Sequence, residues 1–152
     1  MESHKISANL IKLGFFTPAD IFHSFGVNFL DESVCRHRIL ERLHPDYVMC
    51  PGCKAEITGK GLQNFWGGKR IRCRAEKCGK FFTALTGTFL SGCHLDYRGM
   101  ILLAIFLHLG IRNELIADKL AVSVETVRLW QKKYESIEQA RKIIDAEVLH
   151  GD

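Results

Sequence analysis

The spacing of apolar positions changes twice along the chain. Phe15 to Phe29 is dense in aromatic residues (Phe15, Phe16, Phe22, Phe25, Phe29). Within it, Thr17-Pro18 predicts a helix start, with Thr17 as the cap and Pro18 in the first turn, where a missing N–H costs no hydrogen bond. Asp31–Leu43 predicts a further helix, with Val34, Ile39, Leu40 and Leu43 on one side and Arg36, Arg38, Glu41 and Arg42 mostly on the other. Pro45 ends it. From 46 to 92 the helical period gives way to short runs. Tyr47–Met49, Asn64–Trp66, Arg70–Cys73 and Phe81–Thr83 are strand candidates, and Gly67-Gly68 between two of them predicts a hairpin turn. Helical spacing returns near residue 95. Asp96 is placed to cap a helix reaching about Leu109 and ended by Gly110, with Ile101, Ala104, Ile105 and Leu109 turned to a core. Arg112–Leu120 predicts the next helix and Ser123–Ser136 the one after. Ile137–Leu149 either continues that last helix or forms another.

The cysteines change the picture of the middle segment. Cys50-Pro51-Gly52-Cys53 and Cys73-Arg74-Ala75-Glu76-Lys77-Cys78 are separated by nineteen residues. Two such pairs can each grip one metal ion from a knuckle, and the separation leaves room for a hairpin that brings the knuckles together. Four thiolates then give Zn²⁺ a closed tetrahedral shell, which marks a structural ion. Gly52 and Gly79 lie where a knuckle needs backbone freedom. A redox pair would want a single motif opening a helix in an α/β pattern. An iron–sulfur cluster fits the two distant pairs less well than a zinc ribbon does. Cys35 reads as a buried thiol, Cys93-His94 as unligated, and His37 and His44 as surface residues.

Asn113 to Lys132 carries a second constellation. Ala117 is small where a partner helix must approach, Ala121-Val122-Ser123 makes a short turn with Ala121 in the place glycine often takes, and Val127 and Trp130 point back to a core. That is the pattern of a helix-turn-helix. Ser123, Glu125, Thr126 and Arg128 would then be the side chains that reach base edges, with Lys132 and Lys133 on phosphate. The simpler alternative is a helical hairpin with a solvated basic face.

The predicted architecture is a small α+β chain. A helical N-terminal segment (1–45) precedes a β-hairpin zinc ribbon (46–92) and a C-terminal three-helix helix-turn-helix domain (93–152). The chain of 152 residues has 47% hydrophobic and 25% charged residues, a globular composition. Its net charge of +4 permits nucleic-acid binding without requiring it. The distribution says more. Between Trp66 and Lys80 stand Lys69, Arg70, Arg72, Arg74, Lys77 and Lys80 against the single acid Glu76. Lys69, Arg70, Arg72 and Arg74 are candidate backbone contacts to DNA, the alternative being that cations here offset the thiolate charge of a metal site. The N-terminus lacks the pattern of a signal peptide, and Met100–Leu109 is too short to cross a bilayer. A cytoplasmic location is expected, where cysteines serve as metal ligands more often than as disulfides.

The order Cys50-Pro51-Gly52-Cys53, Arg72-Cys73, Cys78, Phe81-Phe82 and Leu85-Thr86-Gly87-Thr88-Phe89, followed by the helical stretch Ile101–Trp130, resembles the N-terminal region of insertion-sequence transposases with a zinc ribbon. The resemblance spans about residues 25–135 and implies binding to specific DNA. Those enzymes continue into an RNase H-like domain with metal-binding carboxylates. No such domain is expected from the residues after Trp130, and Asp31, Asp46, Asp96, Asp118 and Asp145 form no catalytic motif. The expectation is a zinc-containing, non-enzymatic reader of double-stranded DNA: a transcription regulator derived from a transposase or mobile element, or the DNA-binding subunit of a separate transposase. Expected partners beyond DNA are that transposase or the transcription machinery, and a second copy through the N-terminal segment. The competing expectation is a zinc-ribbon adaptor that docks other proteins.

Overall fold

The computed structural model describes residues 17–18 and 30–149. Pro18 is helical and Thr17 precedes it, as the Thr-Pro pair predicts; the rest of the aromatic N-terminal segment, and the dimer contact expected from it, lie outside the described residues. The elements in chain order are α1 (Glu32–Leu43), α2 (Gly59–Trp66), β1 (Ile71–Arg72), β2 (Phe81–Phe82), α3 (Tyr97–His108), α4 (Asn113–Leu120) and α5 (Val124–Leu149). The chain is thus a small α+β protein, and among the described residues one antiparallel hairpin pairs Ile71 with Phe82 and Arg72 with Phe81. Among the described residues no helix is long and apolar enough to cross a membrane.

Three helices start as their sequences dictate. Asp31 accepts from the Val34 N–H at 2.9 Å, Asp96 from Gly99 at 2.7 Å, and Ser123 Oγ from Thr126 at 3.1 Å. Each bond satisfies a donor that the first turn would leave unpaired. Three helices also stop by one device. After α2, Gly68 is left-handed (φ 71°), with Gly68 N–H on Phe65 O and Lys69 N–H on Asn64 O. After α3, Gly110 (φ 68°) bonds to Leu107 O and Ile111 to Phe106 O. After α4, Ala121 (φ 53°) bonds to Asp118 O and Val122 to Ala117 O. These are Schellman terminations, in which a left-handed residue folds the chain back onto the last carbonyls.

Two apolar clusters result. The first holds Ile39, Leu90, Met100, Leu102, Leu103, Ile116, Ala117, Leu120, Val127 and Trp130, and joins α1 to the three C-terminal helices. The second holds Leu40, Val48, Cys50, Ile57, Phe65, Ile71, Cys73, Phe82 and Ala84, and lies behind the hairpin. α1 serves both: its neighbours Ile39 and Leu40 enter different clusters. Arg98 on α3 reaches Glu32 on α1 at 3.1 Å and fastens the pair.

Several expectations need correction. Asn64–Trp66 is helical, and Gly67-Gly68 ends a helix instead of turning a hairpin. Leu62, Phe65 and Trp66 stand at i, i+3 and i+4, and that helical spacing wins because it sends Phe65 into the core. The hairpin turn is the second cysteine knuckle. Tyr47–Met49 forms only one bridge, Met49 to Glu56. On α1, Val34 is 57% exposed and Cys35 takes its place inside, as the buried thiol predicted. On α3 Met100, Leu102 and Leu103 are buried and Ile101 packs at the edge of the core as expected, while Ile105 and, just past the helix, Leu109 face outward. His44 is half-buried, its Nε2 2.7 Å from Ala84 O and its ring edge-on to Phe65. His37 is exposed, as expected. α5 runs unbroken to Leu149, a rod of about 39 Å whose side chains from Glu135 to Val148 are exposed.

Candidate metal centre and basic surfaces

The two cysteine pairs converge. One sulfur each from Cys50, Cys53, Cys73 and Cys78 lies within 4.8 Å of all the others. Cys50 and Cys78 are 3.7 Å apart, and Cys53 and Cys73 3.6 Å. Tetrahedral thiolates at the usual ~2.3 Å from a metal sit about 3.8 Å from one another. The cluster therefore has the span of a site for one ion; a multi-iron cluster would hold its cysteines further apart. Cys93 and the described histidines, His37, His44, His94 and His108, stand outside it.

The local folding explains the convergence. In the first knuckle Cys50 N–H bonds to Ala55 O, Lys54 N–H to Cys50 O, and Gly52 N–H points at Cys50 Sγ from 3.4 Å. In the second, Cys73 N–H bonds to Lys80 O and Cys78 N–H to Ala75 O. The left-handed residue follows the second cysteine in both: Lys54 (φ 63°) and Gly79 (φ 59°). The freedom expected of Gly52 is thus used at Lys54. At Gly52 a Cβ would sit 3.0 Å from the Lys80 side chain, a tight contact that a shift of that exposed lysine would have to relieve.

Electrostatics point the same way. Burial raises the Cys50 thiol, but the N–H groups of Cys53 and Gly52 and the neighbouring thiols outweigh it and draw it down to about 7. At Cys73 the Ala75 N–H favours the thiolate, yet burial and the thiols of Cys53, Cys50 and Cys78 push it up to about 12. One proton leaves easily and another is held, which is how crowded thiols behave before a cation neutralises them. Cys50 and Cys73 are buried, Cys78 is half-buried and Cys53 is exposed.

Beside the knuckles, Lys69, Arg70, Arg72 and Arg74 are all exposed. Arg70 and Arg72 stack on Phe81, with guanidinium carbons 4.7 Å and 5.7 Å from the ring centroid. Lys60 and Asn64 on α2 complete an open groove with Arg70, Arg72, Arg74 and Phe81. Sequence reasoning missed Lys60 and Asn64 because it read 64–66 as a strand, and Phe81 because its place opposite Arg72 is set by the hairpin register. The Arg-x-Arg alternation at Arg70 and Arg72 opposite Phe81 was the available signal.

The second basic surface lies on α5. Ser123, Glu125, Arg128 and Lys132 are exposed, Thr126 is half-buried, and Lys133 rests 4.2 Å above the Trp130 ring. Arg128 pairs with Glu125 at 2.5 Å and reaches Glu114 on α4 at 3.8 Å. Behind them Ile116, Ala117, Val127 and Trp130 are buried where α4 meets α5, and Asn113 donates to Gln131 at 2.8 Å. Between the two surfaces runs Thr83–Cys93, a series of turns held by threonines. Thr86 Oγ1 accepts from Thr83 N–H at 3.0 Å, and Thr88 Oγ1 donates to Leu85 O at 2.7 Å. Phe89 ends this segment edge-on to Tyr134 of α5, 5.6 Å between ring centres.

No family model matches the chain, and no curated protein or solved structure does either.

Proposed function

We propose that this chain is a zinc-containing DNA-binding protein in which α4 and α5 act as a helix-turn-helix and the cysteine centre holds one structural Zn²⁺. The observation that carries the reading is the α4–α5 corner. A three-residue turn with a left-handed Ala121 joins a helix crossing at buried Ala117 to a helix anchored by Val127 and Trp130. That corner leaves Ser123, Glu125 and Arg128 outward at the start of α5, the end of a recognition helix that meets base edges. The ion pairs of Arg128 are solvent-exposed and worth well under about 1 kcal/mol each, so a guanine edge can outcompete them. Lys132 would follow on phosphate, as would Lys69, Arg70, Arg72 and Arg74 from the ribbon. Zinc is the metal that suits four thiolates and no open position. The reading assigns the chain no catalytic centre and makes it a regulator derived from a mobile element, or the recognition subunit of a separate transposase.

The test is selection of bound sequences from random duplex DNA with zinc-loaded protein and with Arg128→Ala. An enriched motif that Arg128→Ala relaxes at one position supports the reading. Absence of enrichment at low salt refutes it and favours an adaptor that docks proteins.

A further inference from the structure

The outward face of the β1–β2 hairpin carries an exposed ring, Phe81, that duplex recognition leaves unused. Register places Arg72 directly opposite Phe81, while their neighbours Ile71 and Phe82 turn into the core. Phe81 is therefore held outside by the alternation of the strand and stays 53% exposed. Arg70 and Arg72 brace the ring from the same face of the hairpin. The groove it borders measures about 720 Å³, within the range of pockets that take a small organic ligand or one nucleotide. Lys60, Arg70, Arg72 and Arg74 line it against the single acid Glu76. They outnumber that acid and the charge of about −2 on a zinc–tetrathiolate together, so balancing the metal centre does not account for them all.

A base pair inside a duplex shows a protein its edges and its phosphates; its faces are covered by the pairs above and below. An exposed ring flanked by guanidinium groups instead matches the face of an unstacked base, with the cations on the backbone. We propose that this groove binds an unpaired DNA strand, with one base stacked on Phe81 and its phosphates on Lys60, Arg70 and Arg74. Asn64 on the rim supplies a polar edge for that base. The inference rests on the reading of the chain as a DNA-binding protein and adds a second mode of contact: the ribbon cations that meet duplex phosphate beside α5 also serve an unpaired strand, and Phe81 is the group that only the single strand uses.

The experiment measures anisotropy of a fluorescein-labelled oligothymidine of about twelve nucleotides, a length one binding module covers. A mixed-sequence duplex is titrated in parallel. The protein is the full zinc-loaded chain, with metal content measured for every variant. Stacking of one base is worth about 1–3 kcal/mol, so Phe81→Ala should weaken oligothymidine binding about 5- to 150-fold and leave duplex binding unchanged. Phe81→Tyr should retain binding. Arg70→Ala should lower the salt slope for the single strand by about 0.7, the loss of one phosphate contact. The proposal is overturned if the wild-type chain does not bind oligothymidine, if Phe81→Ala binds it as tightly as wild type, or if that variant loses duplex and single strand by the same factor. Failure of the α5 reading looks different: Arg128→Ala leaves duplex binding untouched while Phe81→Ala still weakens single-strand binding.

Discussion

Replacing Ala121 with glycine should stabilise this protein, and the size of the gain follows from three helix ends. α2, α3 and α4 each terminate with a left-handed residue and the same pair of backbone bonds, but only α4 places a side chain there. A left-handed L-residue costs about 1–2 kcal/mol from the clash of its Cβ with the carbonyl oxygen. Glycine removes that cost and loses roughly 0.4–1 kcal/mol through the greater freedom of its unfolded chain. Ala121 is exposed, so its methyl group gives up no packing. The midpoints of those ranges give a net gain of about 0.8 kcal/mol, a rise in Tm of about 2–3 °C for a chain of this size. Ala121→Val should move Tm the other way, because a β-branched side chain is still less tolerant of φ near 53°. Thermal unfolding of both variants followed by circular dichroism is the assay. A fall in Tm for Ala121→Gly, or equal Tm values for the glycine and valine variants, would refute the argument and with it the left-handed turn between α4 and α5.

Two further outcomes follow from burial. Phe65 is the largest fully buried side chain behind the hairpin, so Phe65→Ala should cost about 3–5 kcal/mol, read as a lowered denaturant midpoint. An effect under about 1 kcal/mol would mean that α2 does not pack there. Burial raises the ionisations of Tyr134 and Cys93 above their ordinary values of 10.0 and 9.0. Groups held neutral by the fold contribute stability that is complete below those ordinary values and lost as pH rises through the raised ones. Stability should therefore decline above about pH 9, and Tyr134→Phe should flatten the decline above pH 10; an unchanged profile in that variant would show that Tyr134 does not titrate against the fold.

Much of this arrangement is written in local chemistry. Asp31, Asp96 and Ser123 announce helix starts because a side-chain oxygen three residues before an amide needs nothing from the rest of the chain. The cysteine spacing announces a shared site because only a shared ion gives two distant pairs a reason to meet. What the local pattern missed depended on tertiary contact. Gly59 and Gly61 make 59–66 a poor helix by propensity, and it is helical because Phe65 fills the space under the hairpin. Val34 and Cys35 are similarly apolar, and the approach of α3 decides which of them is inside. Phe81 was visible only as the end of a strand; its place opposite Arg72 required the register. His44 read as a surface residue because its acceptor, Ala84 O, lies forty residues away.

The central claim is that four thiolates hold one zinc ion on which the hairpin depends, and elemental analysis tests it most directly. The metal content of the purified chain is measured beside that of Cys53→Ser, a substitution at the exposed ligand. The account predicts about one zinc per chain in the wild type. It predicts a large loss of zinc in Cys53→Ser, together with unfolding of the hairpin while the helical cluster around Trp130 survives. Full zinc stoichiometry in Cys53→Ser, or a wild-type chain that folds identically without metal, would contradict it.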